Sequence, residues 1–231
     1  MYDYVAIFLR LLLGICVGYL LVSLAESFLH NHVAHASAAV RRMWKKTKWF
    51  YKWFDRPFYS HHVVHHFLTY RVDYVTQFKD KADHAQIDRS ILDDYASGIK
   101  KERYGLTLRG MGILRFVAPV APLFVILPLM FGWFTFIGSL LPLAAYPWMS
   151  MVVHPWLHRP HAEVDEYAHP IIVALFRTKY MKLVVQNHFM HHKYTDCNFN
   201  LLLGGDLLLG VYRRPSHEDL IEMRKLGLLV D

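Results

Sequence analysis

FVAPVAPLFVILPLMFGWFTFIGSLLPLAAYPWMSM, residues 116–151, contains no Asp, Glu, Lys or Arg. The uncharged interval is longer still: 43 residues separate Arg115 from Arg159, and an ordinary soluble core needs no such run. Wound as one helix, the quoted segment would measure about 54 Å, too long for one crossing of a hydrocarbon layer of roughly 30 Å and just enough for two short ones. It holds Pro119, Pro122, Pro128, Pro142 and Pro147, with Gly132 and Gly138 near its middle. A hairpin turning within residues 132–139 is the natural expectation.

Towards the N-terminus, VAIFLRLLLGICVGYLLVSLA (Val5–Ala25) is long enough for one further span, with Arg10 placed to snorkel to the nearer interface. A cleaved signal peptide is the rival reading. Against it, Met1–Tyr4 carries Asp3 and no Lys or Arg, and the helical pattern continues through Glu26 into the first histidines. The expectation is therefore an all-α integral membrane protein, a single membrane-embedded domain over residues 1–231, with three spans (one plus a hairpin) and a helical cap.

With 54% hydrophobic and 19% charged residues the chain is not a disordered one. Its net charge of +7 lies entirely in residues 26–115, while residues 159–231 balance nine basic against nine acidic side chains. Arg41–Arg56 interleaves seven basic residues with Trp44, Trp49, Phe50, Tyr51, Trp53 and Phe54. Beside a span, this mixture reads as an interfacial segment on anionic headgroups rather than as a nucleic-acid surface, and the positive-inside rule makes the region cytoplasmic. Two cysteines, Cys16 and Cys197, make no disulfide framework. Internal repeats, dinucleotide loops and Walker sequences are not found.

The sixteen histidines carry the chemistry. They group as His30-Asn-His32-Val-Ala-His35, His62-Val-Val-His65-His66, His154-Pro-Trp-Leu-His158 and His188-Phe-Met-His191-His192. The second and fourth groups repeat H-x-x-H-H, which chance explains poorly. On an α-helix, offsets of three and four place all three imidazoles of each motif on one face, and His154 and His158 stack in the same way. In the first group either His30 or His32 pairs with His35, the wider pair needing a distorted helix. Three adjacent imidazoles repel when protonated and waste lone pairs when neutral, a conflict that a metal ion resolves. His61, His84, His161, His169 and His217 read instead as surface or satisfied core residues.

For the four groups to meet they must lie on one side of a bilayer. The only span between the second and third groups is the uncharged stretch, which must then cross an even number of times, as its length also requires. The groups supply enough imidazoles for two metal ions with five each, and nearly all-nitrogen ligation favours Fe, Zn, Ni or Cu over Mg or Ca. Glu26, four residues before His30, is placed to accept that ring's free N–H.

On Glu26–His35, His62–His66, His154–His158 and QNHFMHHKYTDCNFNLLLGGDLLLGVYR (Gln186–Arg213), the chain resembles the membrane-bound fatty acid hydroxylase and sterol desaturase superfamily. The resemblance implies a dinuclear iron centre at the cytosolic ends of membrane helices, using O2 and two electrons to oxidise an unactivated lipid C–H bond. Zinc is a known substitute in such sites when the protein is produced artificially. The implied ligands are His30, His35, His62, His65, His66, His154, His158, His188, His191 and His192. Asn198, Asn200 and Asp206 would support the site or lock the fold. The spacing of the first group looks more like fatty acid and carotenoid hydroxylases than like sterol desaturases. The chain departs from fatty acid 2-hydroxylases after His66, which is followed by Phe-Leu-Thr-Tyr, and it carries no fused haem domain of the family's type, since His169-Pro170 continues Ile-Ile.

Alkyl C–H bonds offer side chains no acid, base or leaving group, so the metal would carry the chemistry and the protein would position the chain. The expected partners are the membrane, a lipid entering laterally among residues such as Phe124, Leu127, Phe131, Phe134 and Leu141, and a separate ferredoxin- or cytochrome-type electron donor with its reductase. Arg41–Arg56 or Lys100–Arg109 would receive an acidic carrier. A desaturase on the same scaffold is the alternative enzyme, and a histidine-rich metal- or haem-binding membrane protein the non-enzymatic one. A metal carrier would be expected to line its spans with ionisable residues, and these have only Arg10.

Overall fold

The computed structural model describes residues 3–91 and 111–229; the basic stretch Lys100–Arg109 lies outside them. Every regular element among the described residues is helical. Helix α1, Tyr4–Leu29, starts at Asp3, whose carboxylate accepts the backbone N–H groups of Val5 and Ala6 and so satisfies donors left free at a helix start. It runs directly into a π-helical turn, His30–Ala34. Helices α2 (Ala38–Lys45) and α3 (Lys48–Phe58) follow, and α3 passes into a longer π-helical segment, Tyr59–Leu68. After an irregular stretch comes α4, Lys81–Ser90.

Helices α5 (Met111–Phe131) and α6 (Trp133–Trp148) form the hairpin expected of the uncharged stretch. Gly132 makes the turn at φ 87°, a left-handed conformation that glycine adopts without steric cost. The turn lies beside Arg10, near the start of α1 and far from the histidines. Helix α6 then runs alongside α1 in the same direction and continues through a third π-helical turn, Met149–Val153, into α7, His154–Leu157.

The close approach of α1 and α6 rests on small residues. Gly14 and Gly18 of α1 face Thr135 and Ser139, and Gly138 faces the Leu11 backbone. Gly-x-x-x-Gly on one helix against Thr, Gly and Ser on the other is the small-residue packing that lets two apolar helices approach closely.

Two continuous helical runs, Tyr4–Ala34 and Trp133–Leu157, are long and apolar enough to cross a membrane. Their outer faces are apolar and uncovered, with Phe8, Leu9, Ile137 and Leu141 all more than half exposed. Of the residues expected to line a lipid path, Phe124 and Leu127 are buried in the core while Phe131 and Leu141 point outward. Trp44 is buried against Phe54, and Arg41 lies over the Phe58 ring at 4.3 Å. Part of the basic-aromatic segment is therefore packing.

The remaining chain supplies α8 (His161–Tyr167), α9 (Pro170–Phe176), α10 (Lys179–Tyr194), α11 (Gly205–Leu208) and α12 (His217–Lys225). Thr178 caps α10, and Ser216 with Asp219 forms a capping box on α12. Asp219 also accepts from Lys193 and from Tyr194, tying α12 to the end of α10. Phe189, Met181, Leu157, Val153 and Met223 meet in one buried core beneath the histidine clusters.

Candidate metal centre

The π-helical segments decide which imidazoles meet. In an α-helix the backbone hydrogen bond spans four residues, so positions i, i+3 and i+4 share a face. In a π-helix it spans five, and the shared face passes to i, i+4 and i+5. His35 N–H donates to the His30 carbonyl at 2.9 Å, one such five-residue bond, and so brings the wider pair of the first group onto one face. His32 turns outward, stacked on Phe28 with its ring Nδ1 3.0 Å from the Phe28 carbonyl.

The same shift operates in the second group. There the face is shared by His61, His65 and His66 rather than by His62, His65 and His66. His61 is fully buried, with Nε2 2.6 Å from His30 Nε2 and 3.1 Å from His66 Nε2. His62 sits at the edge, its ring between Phe58 and Phe67 and its Nδ1 3.0 Å from His35 Nδ1. The expectation of His62 as a converging ligand, and of His61 as a bystander, is corrected on both counts. The fourth group lies on the regular helix α10, where offsets of three and four do put His188, His191 and His192 on one side.

Two nests result. In one, ring nitrogens of His65, His154, His158, His188 and His192 lie within 4.8 Å of one another. In the other, those of His30, His35, His61 and His191 do so, and the His66 ring stands 4.7 Å from His35 and 4.8 Å from His191. The nests touch: His66 stacks on His192 at 4.0 Å, and His61, His65 and His66 form a third close set.

Backbone carbonyls orient the rings. His30 Nδ1 donates to Phe199 O at 2.6 Å, His191 Nδ1 to Cys197 O at 2.9 Å, and His158 Nδ1 to Tyr74 O at 2.9 Å. A neutral imidazole that donates from Nδ1 has a lone pair at Nε2, so these contacts aim lone pairs inward. His188 Nε2 stands 2.9 Å from His154 Nε2 and 3.0 Å from His158 Nε2. Nitrogens about 2.1 Å from one ion and at right angles to each other lie roughly 3 Å apart, so the spacing suits a shared ion. The Nε2 atoms of His35, His191 and His192 are buried without a hydrogen-bond partner, as ligands waiting for a cation would be. Donor type, spacing and unpaired nitrogens all fit metal ions.

Burial also holds the rings in the binding form. It lowers the pKa of His61, His66, His188 and His192 well below the usual histidine range, and the neighbouring imidazoles push the same way. His191 and His35 shift in the same direction for the same first cause. Burial takes His158 down to about 4. Neutral imidazole is the form that ligates metal.

The polar residues after the last histidine group build the scaffold of this centre. Glu26 does not reach His30, whose ring N–H goes to Phe199. It instead accepts the backbone N–H groups of Leu201 and Leu202 at 2.7 and 2.9 Å and the Asn200 amide at 3.3 Å. A helical carboxylate bonds to whatever donors the partner chain presents, and here they are main-chain. Asn200 also donates to Ser23 O, and Asp206 accepts from Ser27 and from Asn200 N. Asn198, at φ 58°, pairs with both backbone groups of Arg213. These residues pin the 197–206 loop to α1, and that loop supplies the Cys197 and Phe199 carbonyls. The sequence shows no mark for them, because backbone acceptors have no residue identity; His61 was detectable from its spacing of four and five to His65 and His66.

Among the other histidines, His84 stacks on Phe78, His161 is packed near Phe176, and the His169 ring caps the start of α9. No family model, curated protein or solved structure matches the chain.

Substitution separates the two candidates of the second group. His61→Ala is expected to lower bound metal from about two ions per chain to about one, because it removes a converging nitrogen. His62→Ala keeps both at saturating metal and weakens affinity by no more than about 10- to 100-fold, the range for residues that orient a ligand. Metal-to-protein ratios of the purified variants read the difference.

Proposed function

We propose that the protein is a membrane-bound non-haem di-iron oxygenase that hydroxylates an unactivated C–H bond of a lipid, an acyl or isoprenoid chain, with O2 and two electrons from a separate donor. The observation that carries this reading is the pair of touching nests of buried, neutral imidazoles. Their ten rings are His30, His35, His61, His66 and His191 in one nest and His65, His154, His158, His188 and His192 in the other. Iron bound there would supply the O2 activation that side chains cannot. His61 thus replaces His62 in the ligand set drawn from the resemblance, and zinc in an artificially produced sample remains compatible with it.

The chain's own part is positioning. The carbonyls of Tyr74, Cys197 and Phe199 hold three rings in one tautomer, and burial keeps the cluster dry and uncharged. In this reading α1, α5 and α6, with its continuation to Leu157, are three spans. The hairpin turn lies on the far side, and every histidine group lies at the cytoplasmic end, where the basic residues 41–56 also lie. The uncovered apolar faces of α1 and α6 support it, since a bilayer would cover them. Electrons would arrive from a ferredoxin- or cytochrome-type carrier at that cytoplasmic face.

Lipid profiling tests the reading. A strain deleted for the gene should lack a lipid that gains one oxygen atom in the complemented strain. A lipid that instead loses two hydrogens would identify a desaturase on the same scaffold, and unchanged lipids under aerobic growth would count against both.

A further inference from the structure

A cavity of about 290 Å3 lies between α10 and the segment running from residue 198 to 215. None of the clustered histidines lines it, so what it binds is independent of the metal centre. Its polar lining includes Asn187, only 3% exposed, and Asp206. The Asn187 amide nitrogen is committed, donating to Asn200 O at 2.7 Å and Asn198 O at 3.3 Å. That fixes the orientation of the amide and leaves its Oδ1 buried with no partner. A buried acceptor left unbonded costs about 1–3 kcal/mol, so a donor is called for.

The rest of the lining is apolar: Leu183, Leu203, Leu207 and Tyr212. Leu183 and Leu207 are 50% and 64% exposed and mark the open side. That side stands against α1: the Tyr19 hydroxyl donates to Leu203 O at 2.7 Å, and Gly204 and Gly205 pack beside Ser23. A pocket that opens beside an apolar helix is reached from lipid more readily than from water.

We propose that this cavity is a binding site for a single-chain amphiphile with a neutral hydrogen-bond-donating head, a long-chain alcohol. The head donates to Asn187 Oδ1, and the chain leaves along Leu203 and Leu207. A carboxylate head is disfavoured, since the Asp206 carboxylate and the Asn187 oxygen both present lone pairs to it.

The test uses the full chain in phosphatidylcholine nanodiscs with a diazirine-bearing long-chain alcohol as photoprobe. Crosslinks are expected within residues 183–187 or 203–212. Excess dodecan-1-ol should reduce them about tenfold, the equivalent of one hydrogen bond, while dodecane and dodecanoate reduce them less than about twofold. Leu207→Trp, at an exposed position, should block the opening and lower crosslinking to a similar extent with metal content unchanged. The proposal is overturned if crosslinks spread over the outer faces of α1 and α6. It is equally overturned if dodecane competes as well as the alcohol, in which case the buried acceptor is served by water.

Discussion

Replacing His191 by alanine is expected to abolish the hydroxylated product while the chain still inserts into the membrane. His191 is fully buried, its Nδ1 held by Cys197 O and its Nε2 unpaired. Its ring stands 4.6 Å from His30 and 4.7 Å from His35, so it joins α10 to the histidines that follow α1. Loss of this nitrogen removes a ligand and leaves the Cys197 carbonyl without a donor. The fall in product should exceed the ~100-fold upper range for groups that merely orient a ligand. Insertion survives because His191 lies on α10, outside the α1–α6 contact. His217→Ala, at an exposed position on α12, is the control and should retain full activity. Product from the His191 variant at the wild-type level would remove His191 from the centre.

The second large effect is structural. A Cβ at Gly138 would overlap the Leu11 carbonyl, a backbone atom that no rotamer change can move aside. Gly138→Val is therefore expected to push α6 off α1, at a cost of about 3 kcal/mol or more. Since α6 carries His154 and His158 at its far end, the displacement would also misplace two nitrogens of one nest. The variant should melt at a lower temperature in detergent and retain less metal. Leu141→Ala, on the exposed face of the same helix, should stay within about 0.5 kcal/mol of the parent. Equal melting temperatures for Gly138→Val and the parent would show that the two helices do not depend on this contact.

Much of this architecture is legible in residue order. The uncharged stretch contains a hairpin because its length and its missing charges permit little else, and Gly132 is the turn because the chain there needs a positive φ. His188, His191 and His192 converge as the α-helical period dictates. The second group was misread for a definite reason. HHVVHH contains both possible registers, and the choice between His61 and His62 depends on whether the backbone bonds to the fourth or the fifth residue. Nothing local in Tyr59–Leu68 sets that choice; it follows from packing against the His30 and His191 rings. The same holds for Glu26, whose neighbours in sequence suggested a ring N–H while its neighbours in space are Leu201 and Leu202, some 175 residues away. The Gly14 and Gly18 seam is visible as a motif, but its partner helix is known only from the fold.

The central claim is that ten imidazoles from distant parts of the chain hold two adjacent iron ions. Metal analysis combined with Mössbauer spectroscopy on protein freshly purified from iron-57-grown cells addresses it directly. The account predicts about two irons per chain with nitrogen-rich, magnetically coupled high-spin signals, falling to about one in His61→Ala and holding at two in His62→Ala. A haem spectrum, a single uncoupled iron, or metal content unaffected by His61→Ala would contradict it.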